Sequence, residues 1–362
     1  MNTDLYMIYG TNYQQMARDI LEAAHIADEI KDPHARIALK PNLVLDAHPD
    51  LGATTHPELL AGTIDYLRDH GFNNIVIMES SWVGCKTGAA YKKAGYQKLC
   101  HDYDVPFIDL QKDTWKEYDA KGVTIKVCDQ AMKVDYMINF PVLKGHCQTY
   151  ITCALKNNKG LIPNVEKRRF HTMGLHKPIA HLNTVVPINF IMVDNICGDL
   201  DFEEGGNPVM MNRVIGGFDP VLIDAFVCET MGYDVDDVPY IRIAEKLGVG
   251  CADITQANIV ELNEPVVVPT DHQPYQVRHL ARYVQPIDAC SACYGSLIHA
   301  LHRMNDQGML RHHRESIAIG QGYRQKTGKI GVGNCTHRFE LCIHGCPPKA
   351  SEILEFLEKN WE

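Results

Sequence analysis

Apolar runs that alternate with amphipathic segments constrain the fold of this 362-residue chain more than any other feature. The runs are rich in β-branched residues and predict strands over residues 36–45, 74–80, 106–110, 123–127, 136–143 and 189–196. Apolar side chains at helical spacing predict helices over residues 13–30, 56–70 and 220–232. Strands that alternate with helices predict an α/β fold with a mostly parallel sheet flanked by helices.

A second, smaller domain is expected after a break at residues 266–276 (VVVPTDHQPYQ), which contain two prolines. Residues 266–362 carry 11 Lys and Arg against 9 Asp and Glu, whereas the preceding residues carry 24 against 36. Helices are predicted in this tail over residues 292–304 and 347–359, and short strands over residues 316–320 and 329–332. We therefore expect an α/β ligand-binding domain over residues 1–265 and a cysteine-rich α+β domain over residues 266–362. No internal repeat is visible in either.

Composition and motifs exclude several classes of protein. The net charge of -10 argues against broad binding of nucleic acid. The chain shows no basic leader followed by an apolar core, and its longest apolar stretch, residues 185–193, is too short for a membrane span, so a cytoplasmic protein is expected. Walker A, GxSxG and HExxH motifs are missing. The 13 cysteines, an odd number, suggest a reducing compartment in which some thiols bind metal.

Cysteines of the tail predict a metal centre. Cys290 and Cys293 form a CxxC at the start of a predicted helix, where the helix N-terminus favours the thiolate. Cys335 follows a glycine-rich strand end, and Cys346 precedes two prolines. Iron–sulfur clusters use four thiolates, often from a CxxC together with a Cys-Pro. The sequence therefore predicts a [4Fe-4S] cluster on these four cysteines.

Three alternatives to a cluster are open. A structural zinc site also uses four cysteines, but usually as two CxxC knuckles. A catalytic dithiol needs the CxxC alone, and inert thiols buried in the core need no ligand spacing at all. Cys342 is a fifth cysteine of the tail. It competes with Cys346 as a ligand, although a packed thiol beside the site suits it better.

Polar side chains follow the predicted strands of the first domain. They occur at strand ends or at the start of the helix over residues 56–70, and they are Lys40, Asn42, Thr55, His56, Glu79, Lys144 and His146. The carboxyl ends of parallel strands are where α/β folds bind ligands, and a helix start suits an anion. Helix caps, turn residues and solvated charges are the simpler interpretations of each residue alone.

Residues 143–177 form a basic segment in this acidic chain. Seven cations stand against the single acid Glu166, and they are Lys144, Lys156, Lys159, Lys167, Arg168, Arg169 and Lys177. Three histidines are interleaved: His146, His171 and His176. A local basic field of this kind favours a carboxylate or phosphate ligand, with a solvated basic face as the alternative.

Taken together, these motifs resemble the bacterial and archaeal family named domain of unknown function 362. The resemblance covers most of residues 36–232 and rests on KPNLV (40–44), THPE (55–58), ES (79–80), KGH (144–146), ALKNNKG (154–160), His171, Asp194 and GFD (217–219). It implies an α/β fold and adds Asn157 to the candidate ligand-binding residues.

The same resemblance implies an iron–sulfur segment, which members commonly carry as two CxxCxxC runs. This chain departs from that pattern with a single CxxC, so one [4Fe-4S] cluster is expected. Its GCPP element (345–348) is similar to cluster-binding sequences in small subunits of complex-I-like and hydrogenase enzymes.

The leading hypothesis is an iron–sulfur protein of anaerobic metabolism, a reductase or electron-transfer enzyme that acts on a small anionic substrate or cofactor. A ferredoxin-like protein would supply electrons. His146 or His171 would carry the proton and Glu79 and Asp194 would orient these groups. The residues expected to bind the ligand are Lys40, Asn42, Thr55, His56, Lys144, Lys156, Asn157 and Lys159. A non-redox isomerase or transferase with a structural or Lewis-acid cluster, and a carrier of a cluster or cofactor, are the alternatives.

Overall fold

A computed structural model of the protein describes residues 2–267, 274–311 and 315–361. Within these ranges the strands are β1 (Asp4–Tyr9), β2 (Ile37–Pro41), β3 (Ile75–Glu79), β4 (Phe107–Asp109), β5 (Trp115–Ala120), β6 (Val123–Cys128), β7 (Tyr136–Phe140), β8 (Lys144–His146), β9 (Tyr150–Thr152), β10 (Phe190–Asp199), β11 (Pro208–Gly217), β12 (Asn258–Glu261), β13 (Val284–Pro286), β14 (Ile317–Ile319), β15 (Ile330–Val332) and β16 (Leu341–Ile343). The α-helices are α1 (Tyr13–Ala23), α2 (Ile26–Glu29), α3 (Pro57–Asp69), α4 (Thr87–Lys93), α5 (Tyr96–Asp102), α6 (Ala154–Asn157), α7 (Asn164–Thr172), α8 (His176–Leu182), α9 (Pro220–Thr230), α10 (Pro239–Lys246), α11 (Tyr275–Ala281), α12 (Ser291–Asp306) and α13 (Ala350–Asn360).

An eight-stranded sheet forms the centre of the first domain, in the order β12-β1-β11-β10-β7-β2-β3-β4. Strand β11 is antiparallel to both of its neighbours, β1 and β10. The other pairings are parallel. The predicted mostly parallel sheet is therefore confirmed.

Both faces of this sheet are covered, as its apolar strands require. Successive side chains of a strand point to opposite faces. Ile37 and Leu39 of β2 accordingly pack in a core with α1 and α3, while Ala38 belongs to the core on the other face with α9 and α10. The two helix layers leave the carboxyl ends of the strands free to hold a site.

Two predicted elements differ from the observed ones. The predicted helix over residues 13–30 is divided into α1 and α2, because His25 adopts the left-handed conformation with φ 53°. The predicted strand over residues 123–127 is β6, which pairs with β5 in a separate antiparallel hairpin. Its alternating pattern, with Ile125 and Val127 buried and Thr124 exposed, fits a strand with one solvated face.

The tail contains its own parallel sheet, in the order β13-β14-β15-β16, with α12 and α13 packed beside it. Helix α12 also contacts β11, and α13 contacts α9. Most of the predicted break, residues 268–273, lies outside the described residues. Strands β14 and β15 are each followed by a glycine with positive φ, Gly320 and Gly333, and a 3₁₀ turn. This short repeat of strand, glycine and turn was not recognised in the sequence.

Candidate functional site

A cavity of about 230 Å³ lies where β2, β3 and β7 end, and we call it the basic cavity. Eight of the residues predicted to form the site line it: Asn42, Glu79, Lys144, His146, Lys156, Asn157, Lys159 and His171. Four others, Lys40, Thr55, His56 and Asp194, are not among the lining residues. Polar strand ends and the basic segment therefore meet at one place, as expected of the carboxyl edge of a parallel sheet.

Two lysines at the basic cavity are held by backbone oxygens. Lys167 donates to the carbonyls of Ser80 and Ser81, each over 2.6 Å, and also contacts the Ser80 hydroxyl. Lys144 donates to the carbonyl of Ala53 over 2.6 Å and to that of Glu203 over 3.0 Å. An ammonium has three N–H donors, so Lys167 has none left and Lys144 has one. Burial lowers the pKa of each to about 7.

Lys156 and Lys159 have donors to spare. The buried Lys156 ammonium makes one hydrogen bond, to the Thr152 hydroxyl over 2.7 Å. Lys159 makes no side-chain hydrogen bond to any residue that the structure describes. Burial lowers the pKa of Lys159 to about 8, and burial together with the charges of Lys159 and Lys144 lowers that of Lys156 well below its ordinary value. An anion in the cavity would supply the missing acceptors and stabilise both charges.

Lys40 and Glu79 form a buried pair behind the basic cavity, with Nζ 2.5 Å from Oε2. The second carboxylate oxygen of Glu79 accepts the backbone N–H of Ser80 over 2.7 Å. Burial lowers the pKa of Lys40 and raises that of Glu79, while their mutual attraction opposes both changes. A side chain at Gly160 would meet Glu79 at 1.9 Å, so glycine is required there. Lys40 thus positions Glu79 and does not itself reach the cavity.

The imidazole of His146 has a fixed tautomer. Its Nδ1 atom accepts the backbone N–H groups of Gln148 over 3.0 Å and Thr149 over 3.3 Å. Nδ1 is therefore unprotonated, and the ring carries its hydrogen on Nε2, which lies 3.2 Å from Oε1 of Glu203. His171, in contrast, is exposed at the end of α7, and burial together with Lys159 and Lys156 lowers its pKa.

His146, Cys147 and Glu203 bring three ligand-type atoms within 4.8 Å of one another. A metal needs a free lone pair on the imidazole, but Nδ1 is occupied by two N–H groups and Nε2 carries the hydrogen. The neighbouring lysines also repel a cation. The chemistry of this group therefore suits hydrogen bonding to an anion better than binding of a metal.

Thr55, His56 and Asp194 form a separate buried network beside the sheet. Thr55 donates to the carbonyl of Phe140 over 2.7 Å and accepts the backbone N–H of Asn42 over 2.8 Å. One carboxylate oxygen of Asp194 is 2.8 Å from both the backbone nitrogen and Nδ1 of His56. Burial opposes the charge on His56, but Asp194 outweighs it and the pKa of His56 is raised well above its ordinary value. This network fixes the start of α3.

Several lining residues of the basic cavity were missed in the sequence, Trp82 and Glu203 among them. Trp82 comes two residues after Ser80, the end of a predicted strand. This position was the signal that could have marked Trp82 as a lining residue. Glu203 lies in the loop between β10 and β11, which is folded by Asp199 through hydrogen bonds from the backbone of residues 201, 202 and 207. In the same loop, Asp201 contacts His302 of α12.

Four cysteines surround a small cavity of about 40 Å³ in the tail, and we call it the cysteine cavity. They are the four predicted ligands, Cys290, Cys293, Cys335 and Cys346. Gln321 Nε2 lies 3.4 Å from the sulfur of Cys290, and the Arg324 side chain contacts Cys335. Burial, followed by the nearby thiols, raises the pKa of Cys293, opposite to the effect expected of the helix N-terminus. A bound metal would be needed to keep such crowded sulfurs as thiolates.

The cysteine cavity can be compared with two kinds of metal centre that use four cysteines. A single tetrahedral zinc places its sulfurs about 3.8 Å apart, as its Zn–S bonds of about 2.3 Å require. Among the described residues, no three cysteine sulfurs lie within 4.8 Å of one another. A four-iron cluster spreads its four thiolates over four separate irons. Four cysteines around one cavity are a donor set that such a cluster uses.

Cys342 lies outside the cysteine cavity. Cys342 lies on strand β16, and its sulfur contacts the Thr336 hydroxyl at 3.3 Å and the carbonyl of Gly333 at 3.7 Å. Gly345, with φ 143°, brings Cys346 to the cavity by a close approach, since a side chain there would meet Pro348 at 2.5 Å. The geometry thus separates the two cysteines that the sequence left as competitors.

Among the described helices, none combines the length and apolar character needed to cross a membrane.

Comparisons with known proteins place the first domain in a family. A thylakoid-associated protein of Synechocystis sp. is 23% identical over 243 residues, which cover 64% of this chain and 74% of that protein. A crystal structure of a Thermotoga maritima protein gives a TM-score of 0.35 at 11% identity, too low to show a shared fold; the match covers 72% of this chain and 63% of that one. The profile of the family described as Domain of unknown function (DUF362) matches residues 37–229, more than half of the chain. The protein therefore belongs to the DUF362 family.

Proposed function

We propose that this protein is an iron–sulfur protein of anaerobic metabolism, a cytoplasmic reductase or electron-transfer enzyme that acts on a small anion held in the basic cavity. The observation that carries the proposal is the convergence of Cys290, Cys293, Cys335 and Cys346 on one cavity. These cysteines come from three separate stretches of the tail, so their meeting is a product of the fold. All thirteen cysteines are free thiols, as suits a reducing compartment.

The four cysteines would hold a [4Fe-4S] cluster, which when bound would supply single electrons received from a ferredoxin-like donor. Gln321 and Arg324 would donate hydrogen bonds to the sulfurs, and such bonds adjust the reduction potential of a centre. The fold would thus provide both the ligands and the groups that tune them.

The basic cavity would bind the anion through Lys156 and Lys159, the two lining lysines that each keep at least two unused N–H donors. His146 would donate from Nε2, and Lys144 would add the one donor it retains. His171 is the exposed histidine of the lining, so it would exchange the proton that accompanies reduction with solvent. Glu79, fixed by Lys40, would position the end of β3.

Anaerobic purification followed by iron and sulfide analysis tests the cluster. We expect about four irons per chain and a paramagnetic resonance signal after reduction with dithionite. Substitution of serine for any of the four lining cysteines should lower the iron content at least twofold. The matched control is Cys342→Ser, which should keep the full iron content because Cys342 is not among the residues that line the cavity. A colourless protein with one zinc per chain overturns the proposal.

A second candidate function, a non-redox isomerase or transferase, is favoured by one observation. Burial lowers the pKa of Lys144 to about 7, which suits acid–base work at neutral pH. In that case the metal centre would be structural or a Lewis acid. Turnover that survives in folded Cys290→Ser protein lacking iron would favour this function over electron transfer.

A further inference from the structure

One wall of the basic cavity is apolar. Val44, Leu45, Trp82 and Val83 line it, and the first two follow β2 while the others follow β3. The backbone N–H of Trp82 donates to the carbonyl of Val44 over 3.0 Å, so the two segments form one surface. Trp82 is 47% exposed, so its indole presents a flat apolar surface at the edge of the cavity.

The indole of Trp82 has a defined place on this wall. A side chain at Gly84 would meet the six-membered ring at 2.3 Å, so the ring lies over the backbone at position 84. Only glycine leaves that space. The carbonyl of Trp82 also accepts a hydrogen bond from Gln111 over 3.5 Å. Both contacts position a flat apolar surface at the cavity.

The cationic groups of the cavity come from a different part of the chain. Lys156 lies on α6 and Lys159 in the turn that follows it, and both have donors available. A cavity of about 230 Å³ is larger than the roughly 150 Å³ that accommodates benzene in an apolar protein core. The space therefore admits a single ring with a short anionic group, and it is too small for a dinucleotide.

We propose that the basic cavity selects an anion attached to a flat apolar body, with a monocyclic aromatic carboxylate as the simplest member of the class. The carboxylate would bind Lys156 and Lys159, and the ring would lie against Trp82 and Val44. This inference rests on the anion site of the proposed function and adds the class of its ligand. The apolar body explains why a cationic cavity keeps an exposed tryptophan at its edge.

Calorimetric titration of the anaerobically purified protein with benzoate, acetate and benzyl alcohol tests the inference. We expect benzoate to bind at least tenfold more tightly than acetate, since only benzoate buries a ring, and benzyl alcohol to bind far more weakly than benzoate. Trp82→Ala should lower the affinity for benzoate about tenfold and leave acetate within twofold. The matched control is Trp115→Ala on the β5–β6 hairpin, because Trp115 is 41% exposed but lies under Lys126.

The outcomes separate this inference from the function beneath it. Equal affinity for benzoate and acetate, both lost in Lys159→Met, would overturn the apolar specificity and leave the anion site intact. Benzyl alcohol binding as tightly as benzoate would overturn the need for charge. Failure of every probe to bind, in protein whose thermal unfolding is normal, would overturn the anion site as well.

Discussion

The backbone N–H of Gln148 donates a hydrogen bond of 3.0 Å to Nδ1 of His146. A second N–H, from Thr149, meets the same atom at 3.3 Å, so the ring cannot be protonated there without losing both bonds. Burial, with the charges of Lys156, Lys159 and Lys144, lowers the pKa of His146 far below its ordinary value. His146 is thus a neutral donor through Nε2 at neutral pH.

Nitrogen NMR should show this fixed tautomer directly. We expect the Nδ1 and Nε2 shifts of His146 to stay constant from pH 5 to pH 9, with the hydrogen on Nε2. The amide nitrogen of glutamine occupies the position of Nε2, so His146→Gln should keep anion affinity within about threefold. His146→Asn cannot reach that position and should lose about tenfold, the effect of a hydrogen bond to a charged group. A His146 signal that titrates near pH 6.5 would refute the assignment.

Anion affinity should fall as pH rises from about 7 to above 8. Lys144 and Lys159 have pKa values of about 7 and about 8, and each attracts an anion only in its protonated form, below its pKa. Lys159→Arg should retain the part of the affinity lost above pH 8, because arginine stays charged there. Titration with benzoate at several pH values measures the effect, and a flat profile in the native protein would contradict it.

Glu203→Gln should raise anion affinity. The carboxylate of Glu203 is the acidic charge that acts on all three of Lys144, Lys156 and Lys159, so it competes with any anionic ligand. We expect a gain of about five- to tenfold at low ionic strength, and a smaller gain at high salt because Glu203 is partly exposed. Glu204 lines the same cavity, so Glu204→Gln serves as the control, and we expect it to change the anion affinity little. Equal effects of the two substitutions on anion affinity would contradict a specific role of Glu203 and would leave only the general electrostatic field of the cavity.

Asp194→Ala should destabilise the protein without changing anion affinity. Removal of the carboxylate leaves buried His56 without its partner, and loss of one member of a buried pair costs about 3–5 kcal/mol. Because Asp194 raises the pKa of His56, this stabilisation is complete at acidic pH and is lost as pH rises through that raised value. Asp50→Ala is the control, since Asp50 is 74% exposed and lies 3.4 Å from the same ring. Denaturant unfolding at pH 6 measures both variants, and equal stability of the two would contradict the prediction.

Much of the fold follows from local sequence. The apolar runs of β2, β3, β7 and β10 are predictable because a strand buried on both faces needs an uninterrupted apolar sequence. Strand β11 was not predicted, since it contains Asn212 and Arg213 and ends in two glycines. Two of its polar side chains find partners far along the chain, where Arg213 donates to Asn195 and Asn212 donates to Ser291.

The candidate site was predictable in its location and less so in its roles. Strand-end motifs marked Glu79, Lys144 and His146 because parallel strands end at one edge. Which lysines remain free could not be predicted, since the acceptors that occupy Lys167 are backbone carbonyls 86 and 87 residues away. The tautomer of His146 likewise depends on the path of the backbone after it.

The loop between β10 and β11 touches both halves of the molecule. Glu203 of this loop contacts His146 at the basic cavity, while Asp201 contacts His302 and lies 3.9 Å from Arg303 on α12. The start of that helix carries the CxxC, with Cys290 as its N-cap residue and Cys293 in its first turn. The residue two positions before Glu203 therefore packs against the last turns of the same helix that begins at the cysteine cavity. One short stretch of backbone thus joins the lining of the basic cavity to the helix that begins at the cysteine cavity.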